Sequence, residues 1–207
     1  MRMALIYDAK LVPSKPDLLA AWLPTQPWFE DSDGEIEVLG AFRFDDPAGE
    51  VGIETHIVRG ASGTVYQVPL TYRGAPMEDA GRFLVTELEH SVLGHRWVYD
   101  APADPVAVAA FVAAITTGQT QVEVFVDGSD APLPASVTVR GTGTQERAPQ
   151  ATLIELETRD AVTRVQTDSL AVDFFRVVSG VQDRTFRLDA QTGFEGTPAT
   201  LAAVVSV

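Results

Sequence analysis

The 207-residue chain is 45% apolar and 21% charged, with 16 Gly, 13 Pro and no Cys. That balance can bury a core in one or two domains, and it excludes a disordered tail, a collagen-like rod and a disulfide scaffold. Fifteen basic residues against 29 acidic ones leave −14 at pH 7, a field that repels phosphate and argues against nucleic acid or an anionic membrane as partner.

Residues 3–12 form a mixed apolar segment that fits a first strand, and the apolar run before Asp8 is too short for a signal peptide. Ser14, Pro16 and Asp17 have the chemistry of a helix start. Leu18, Leu19, Trp22 and Leu23 share one helical face, with Trp22 as the expected anchor, and Pro24 and Pro27 stop the helix. Three strand-like runs follow. Ile36, Val38, Gly40 and Phe42 alternate with charged residues, Val51, Ile53, Thr55 and Ile57 repeat the period of two, and residues 65–72 do the same. Turn chemistry at 45–49 and 59–63 makes these an antiparallel meander. Pro69 inside the third run calls for an edge or a bulge.

Residues 77–90 read as partly helical and 96–100 as a short strand. Asp104, Pro105 and Gly118 are the cap, first-turn proline and terminator of a second helix. Its residues Val106, Ala109, Ala110, Ala113 and Ala114 form a small-residue face expected to pack on a sheet. The most apolar window, 106–115, is too short to span a bilayer, so a cytoplasmic protein is expected. Beyond Gly118 the candidates are all strands: 122–126, 135–140, 152–156, 162–165, 170–178, 185–188 and 201–207. Residues 127–132 and 141–149 are polar connectors, and the boundary between two parts falls within 119–134.

Chemistry is sparse. Glu87-x-x-His90 would put a carboxylate and an imidazole on one helix face, but a di-metal bundle needs two such motifs and further glutamates; His90 and His95 read as surface or turn residues. His56 is expected to face solvent, opposite the apolar side of its strand. The chain has no Cys and no Gly-x-Ser-x-Gly elbow, and no spacing singles out an acid–base pair. Neither phosphate-binding glycine motif occurs, and residues 140–144 read as a turn. Trp22, Trp28, Phe29, Trp97 and Tyr99 read as core anchors, with stacking on a sugar as the alternative. No catalytic, cofactor-binding or metal-ligating residue is assigned, and no cofactor is expected.

Leu23-Pro24-Thr25-Gln26-Pro27-Trp28-Phe29 resembles the opening motif of actinobacterial maltokinases, and Tyr66-Gln67-Val68-Pro69-Leu70 resembles a strand of the same family's N-terminal cap. The stretches 90–94 and 97–100 resemble stand-alone cap-like proteins that carry a glucan-branching label. The resemblance implies an α+β fold: a curved antiparallel sheet with packed helices over residues 1–120, then a β-rich, degenerate kinase N-lobe-like part over 121–207. Leu170-Ala171-Val172-Asp173-Phe174-Phe175-Arg176 resembles the strand that carries the phosphate-pairing lysine, with Asp173 in the lysine's place. An anion there reverses the electrostatics of an ATP site. Residues 158–161 do not preserve the family's loop, and the catalytic His-Gly-Asp and metal-binding Asp-Phe-Glu segments do not occur. Asp173-Phe174-Phe175 and residues 193–196 are false matches to the latter. Where the family carries a basic stretch, residues 30–35 are acidic.

The resemblance therefore implies a non-catalytic interaction or regulatory module with a protein partner in α-glucan or trehalose metabolism. The alternative is a carbohydrate-binding module that uses aromatic residues on the sheet face. A branching activity is not expected, since it would need a large catalytic barrel.

Overall fold

The computed structural model describes residues 3–6, 9–31, 35–126, 131–192 and 198–205. Parts of the acidic stretch (32–34), the connector at 127–130, the fragment 193–196 and parts of the first and last expected strands lie outside the described residues. In chain order the elements are β1 (Met3–Ile6), β2 (Leu11–Val12), α1 (Lys15–Trp22), β3 (Ile36–Asp45), β4 (Gly52–Gly60), β5 (Val65–Arg73), β6 (Leu84–His90), β7 (Gly94–Asp100) and α2 (Pro105–Thr117). Then come β8 (Glu123–Val126), β9 (Thr138–Gly141), β10 (Leu153–Arg159), β11 (Val162–Thr167), β12 (Ala171–Phe175), β13 (Phe186–Thr192) and β14 (Ala199–Val205). The fold is mostly β and strongly curled, with two short α-helices among the described residues.

One six-stranded antiparallel sheet has the order β2-β6-β7-β5-β4-β3, and a second has β10-β11-β12-β14-β13-β9. A small parallel pair joins β1 to β8. The meander expected from period-two patterning is β3-β4-β5. All seven strands expected after Gly118 form.

The α1 cap is Ser14, whose Oγ accepts from the Asp17 N–H at 3.3 Å. Leu18, Leu19 and Leu23 pack on Val58, Tyr66, Val68, Leu70, Leu88 and Val98, each leucine gaining about 1.5–3 kcal/mol from leaving water. They and buried Trp28 anchor the helix, while Trp22 stays half-buried. The α2 cap is Asp104, which accepts from the Val106 N–H and holds Arg73 at 2.6 and 2.7 Å. Gly118 ends the helix at φ 71°, a left-handed conformation that glycine adopts without strain.

The larger core lies around α2, between the two sheets. Phe42, Phe44, Ile53 and Ile57 come from the first sheet, and Val139, Val172, Phe174, Leu188 and Leu201 from the second. Phe111 of α2 meets Phe44 and Phe174 edge-on, with centroids 5.1 and 4.9 Å apart. The buried face of α2 is Ala107, Val108, Phe111, Val112, Ala114 and Ile115. That corrects the expected packing face: of the small-residue stripe only Ala114 is buried, because Phe, Ile and Val have more apolar surface to remove from water.

Residues 77–90 contain no α-helix; a 3-10 turn at Gly81–Phe83 leads into β6. β-Branched Val85 and Thr86 and the long pairing of β6 with β7 favour the extended chain. Residues 140–144 are not a turn either. Gly141 ends β9, and Gly143 donates to Ile115 O at 2.8 Å. A Cβ at either would sit 1.9 Å from Ala114 O or 2.1 Å from Thr116 O, so the glycines permit backbone contact with the end of α2.

Pro69 lies within the sheet but at a local edge. β7 pairs with β5 only from Leu70 to Arg73. Below that, Gln67 donates to Arg176 O at 2.9 Å and Val65 O accepts from Val178 N at 2.8 Å. By strand alternation, the donor-free side of Pro69 faces the gap between these two neighbours. Gln67 Nε2 also donates to Phe175 O, at 2.7 Å, and to Leu201 O. The first sheet thus borrows a partner from the chain after β12.

Candidate functional site

Alternation along β4 turns Ile53, Thr55 and Ile57 toward the α2 core and Glu54 and His56 toward α1. The α1 side is covered, so both are buried. This corrects the solvent-facing expectation for His56. Lys15, at the start of α1, donates from Nζ to Glu54 Oε2 at 2.6 Å. His56 Nε2 lies 3.5 Å from the same oxygen and 3.3 Å from Tyr72 Oη. Arg43 is the cross-strand neighbour of Glu54. Gly52 leaves room beside it, since a Cβ there would sit 3.3 Å from Arg43 Nη2 and 3.5 Å from Tyr72 Cβ.

Five ionisable side chains from one helix and three strands therefore converge beneath α1, a concentration that marks a candidate site. Burial opposes the charge of Glu54, but His56, Lys15 and Arg43 outweigh it and lower its pKa to about 2. Burial holds His56 below its usual range against the pull of Glu54. Burial, then the Glu54 charge, raises Tyr72 well above the ordinary phenol value. At neutral pH the cluster holds ionised Glu54, uncharged His56 and un-ionised Tyr72 beside two cations. Among the described residues, Arg43 Nε is buried without a hydrogen-bond partner. The arrangement ties α1 to the sheet through charge. Period-two patterning carried the signal that Glu54 and His56 share a side, but not that a helix covers it.

The remaining sequence candidates scatter. Glu87 and His90, three apart on a strand, point to opposite faces. His90 Nδ1 accepts from the N–H groups of Val92 and Leu93 at 3.2 and 3.1 Å, lining the β6–β7 turn. Among the described residues no group of three or more His, Asp or Glu is placed to hold a metal ion. Trp28, Phe29 and Tyr99 are buried, and Trp22 meets Trp28 edge-on at 6.0 Å. Trp97 belongs to neither core and stands against His95 on the open face of β7.

Asp173 is buried and takes a two-pronged bond from Arg164, its cross-strand neighbour, at 2.6 and 2.7 Å. Residues 160 and 161 are simply the turn between β10 and β11. Asp31, in the acidic stretch, accepts from Ser62 N at 2.6 Å and from Tyr66 Oη at 2.9 Å. Burial opposes its charge, yet the Ser62 and Tyr66 donors hold its pKa below the usual carboxylate value. It fits against Gly60, where a Cβ would clash with the carboxylate. Among the described residues no helix is long and apolar enough to cross a membrane.

Comparison with curated proteins gives no match. Residues 22–104, running from the last residue of α1 through β3–β7 to the α2 cap, match the family model of the maltokinase N-terminal cap domain, and that segment is a maltokinase-cap-like domain.

Proposed function

We propose that the chain is a non-catalytic interaction or regulatory module acting in the cytoplasm on a protein partner of α-glucan or trehalose metabolism. The metabolic link rests on the maltokinase-cap match over residues 22–104. The observation that carries the non-catalytic part is Asp173. The β12 strand resembles one that pairs a lysine with nucleotide phosphate, and here it presents a carboxylate already bound through both oxygens to Arg164. A phosphate brought to that position meets an anion, and freeing Arg164 to receive it would leave Asp173 buried and unpaired. In this reading residues 121–207 are a degenerate kinase N-lobe-like part, retained for its framework.

The test is capture of partners from native cytoplasm with the tagged full chain, beside thermal melts with and without ATP–Mg. A glucan- or trehalose-metabolising enzyme that co-purifies, with an unchanged melt in ATP–Mg, is the expected result. A clear upward shift with ATP–Mg overturns the non-catalytic reading. A second reading, carbohydrate binding on the sheet face, is favoured by one observation: Trp97 is outside both cores while carboxylates flank it.

A further inference from the structure

The part of the first sheet that α2 does not cover carries an ordered set of side chains. Arg73, Trp97 and Glu87 lie side by side across β5, β7 and β6, and in the next row His95, Glu89 and Val12 cross β7, β6 and β2. Strand alternation puts all six on one face. His95 joins the rows: Nε2 lies 2.7 Å from Glu87 Oε2, and Nδ1 lies 2.6 Å from Glu89 Oε1. Both ring nitrogens meet carboxylate oxygens, and both contacts are hydrogen bonds when the ring is imidazolium. The His95 ring and that of Trp97 meet in a T-shaped arrangement, with centroids 4.5 Å apart and planes at 71°. Arg73 is fixed by its fork to Asp104. The carboxylates are open to solvent, Glu87 50% and Glu89 66% exposed.

We propose that this face binds a saccharide, with one pyranose ring stacked on Trp97 and its hydroxyls donating to Glu87 and Glu89. The proposal rests on the second reading above and names its residues. Each glutamate spends one oxygen on His95 and keeps the other for a hydroxyl donor. The two are separated by two strand residues, about 6.8 Å, which suits donors on opposite sides of one sugar ring. An indole offers flat apolar area for the C–H face of a sugar. The same residues would suit an organic cation if the slot between the carboxylates were empty, but His95 fills it. The ligand class left is one that brings neutral hydroxyl donors and an apolar face.

The experiment is calorimetric titration of the full chain with maltoheptaose and with trehalose, on wild type, Trp97→Ala and the double variant Glu87→Gln/Glu89→Gln. Trp22→Phe serves as a control for the other half-buried indole. Wild type binds at least one sugar, Trp97→Ala weakens binding about tenfold or more, the double variant weakens it too, and Trp22→Phe leaves it unchanged. The double variant, altered only at exposed positions, keeps the test decisive if Trp97→Ala melts. Equal binding by wild type and the double variant overturns the site. So does tighter binding of tetramethylammonium than of either sugar. Wild type that binds no sugar while capturing a glucan-metabolising enzyme sinks this site and the second reading, and leaves the interaction-module reading standing.

Discussion

Arg176 donates from Nη1 and Nη2 to the two carboxylate oxygens of Asp100 at 2.9 and 2.6 Å, across 76 positions of sequence. The guanidinium is fully buried. Its Nε donates to Thr163 Oγ1 at 2.8 Å, and its plane lies 5.0 Å from the centre of the Trp28 ring. One side chain thereby joins the end of β7, the start of β11 and the loop after α1. A buried pair of this kind contributes little beyond an apolar substitute, but breaking one partner away leaves a charge in the core.

Arg176→Met is therefore expected to cost about 3–5 kcal/mol, because Asp100 loses both donors. Adding Asp100→Leu should recover much of that loss. Urea unfolding of the two single variants and the double measures the coupling, and strictly additive losses would count against the Arg176–Asp100 pair.

Acid should weaken the junction of α1 with the sheet. The cations around Glu54 hold its folded pKa at about 2, against an ordinary value of 4.5. Its stabilisation, about 3 kcal/mol at neutral pH, is complete above 4.5 and is lost as pH falls toward 2. His56, lowered from 6.5 by burial, has the same sign: the unfolded chain takes up its proton first, so stability falls as pH drops below 6.5. Denaturant midpoints between pH 7 and pH 3 should decline more steeply for wild type than for a Glu54→Gln/His56→Gln variant. Parallel curves would refute this account.

His95 is expected to work the other way. Hydrogen bonds to Glu89 and then Glu87 raise its pKa, so what it contributes is fully present below 6.5 and is lost as pH rises through the higher folded value. NMR titration of the imidazole should give a pKa above 6.5 in wild type that falls in Glu87→Gln/Glu89→Gln. An unchanged value would mean that the two contacts are not made in solution.

Gly143→Ala should destabilise by about 2–4 kcal/mol, since the new methyl meets Thr116 O and forces β9's continuation off the end of α2. Gly81→Ala, where nothing lies within 4 Å of the added carbon, is the matched control. Thermal melts that shift equally for both would remove the close-approach explanation.

Local signals in the sequence placed both helices and the meander. Ser14 caps one helix, Asp104, Pro105 and Gly118 bracket the other, and alternation marks β3 to β5. These act between residues a few positions apart, so the sequence exposes them. The departures share a different cause. Residues 84–90 extend because β7 and β2 lie on either side, and His56 is buried because a helix 40 residues earlier covers its face. Glycines 141 and 143 looked like turn residues until the end of α2 was placed against them. The charge cluster under α1 was illegible for the same reason: Lys15 and Glu54 stand 39 positions apart, and periodicity assigns sides without telling which side is covered. Trp97 was grouped with four other aromatics, and only the packing separates it from them.

The parallel pairing of Met3–Ile6 with Glu123–Val126 has a consequence for how the chain is made. β1 has no sheet partner among the described residues until residues 120 positions later emerge, and β5 waits nearly as long, 109 to 113 positions, for Arg176 and Val178. At about 5–20 residues per second, β1 spends several seconds as an unpaired apolar segment. During synthesis that segment offers a chaperone or a second nascent copy a vacant strand edge that β8 closes in the finished fold.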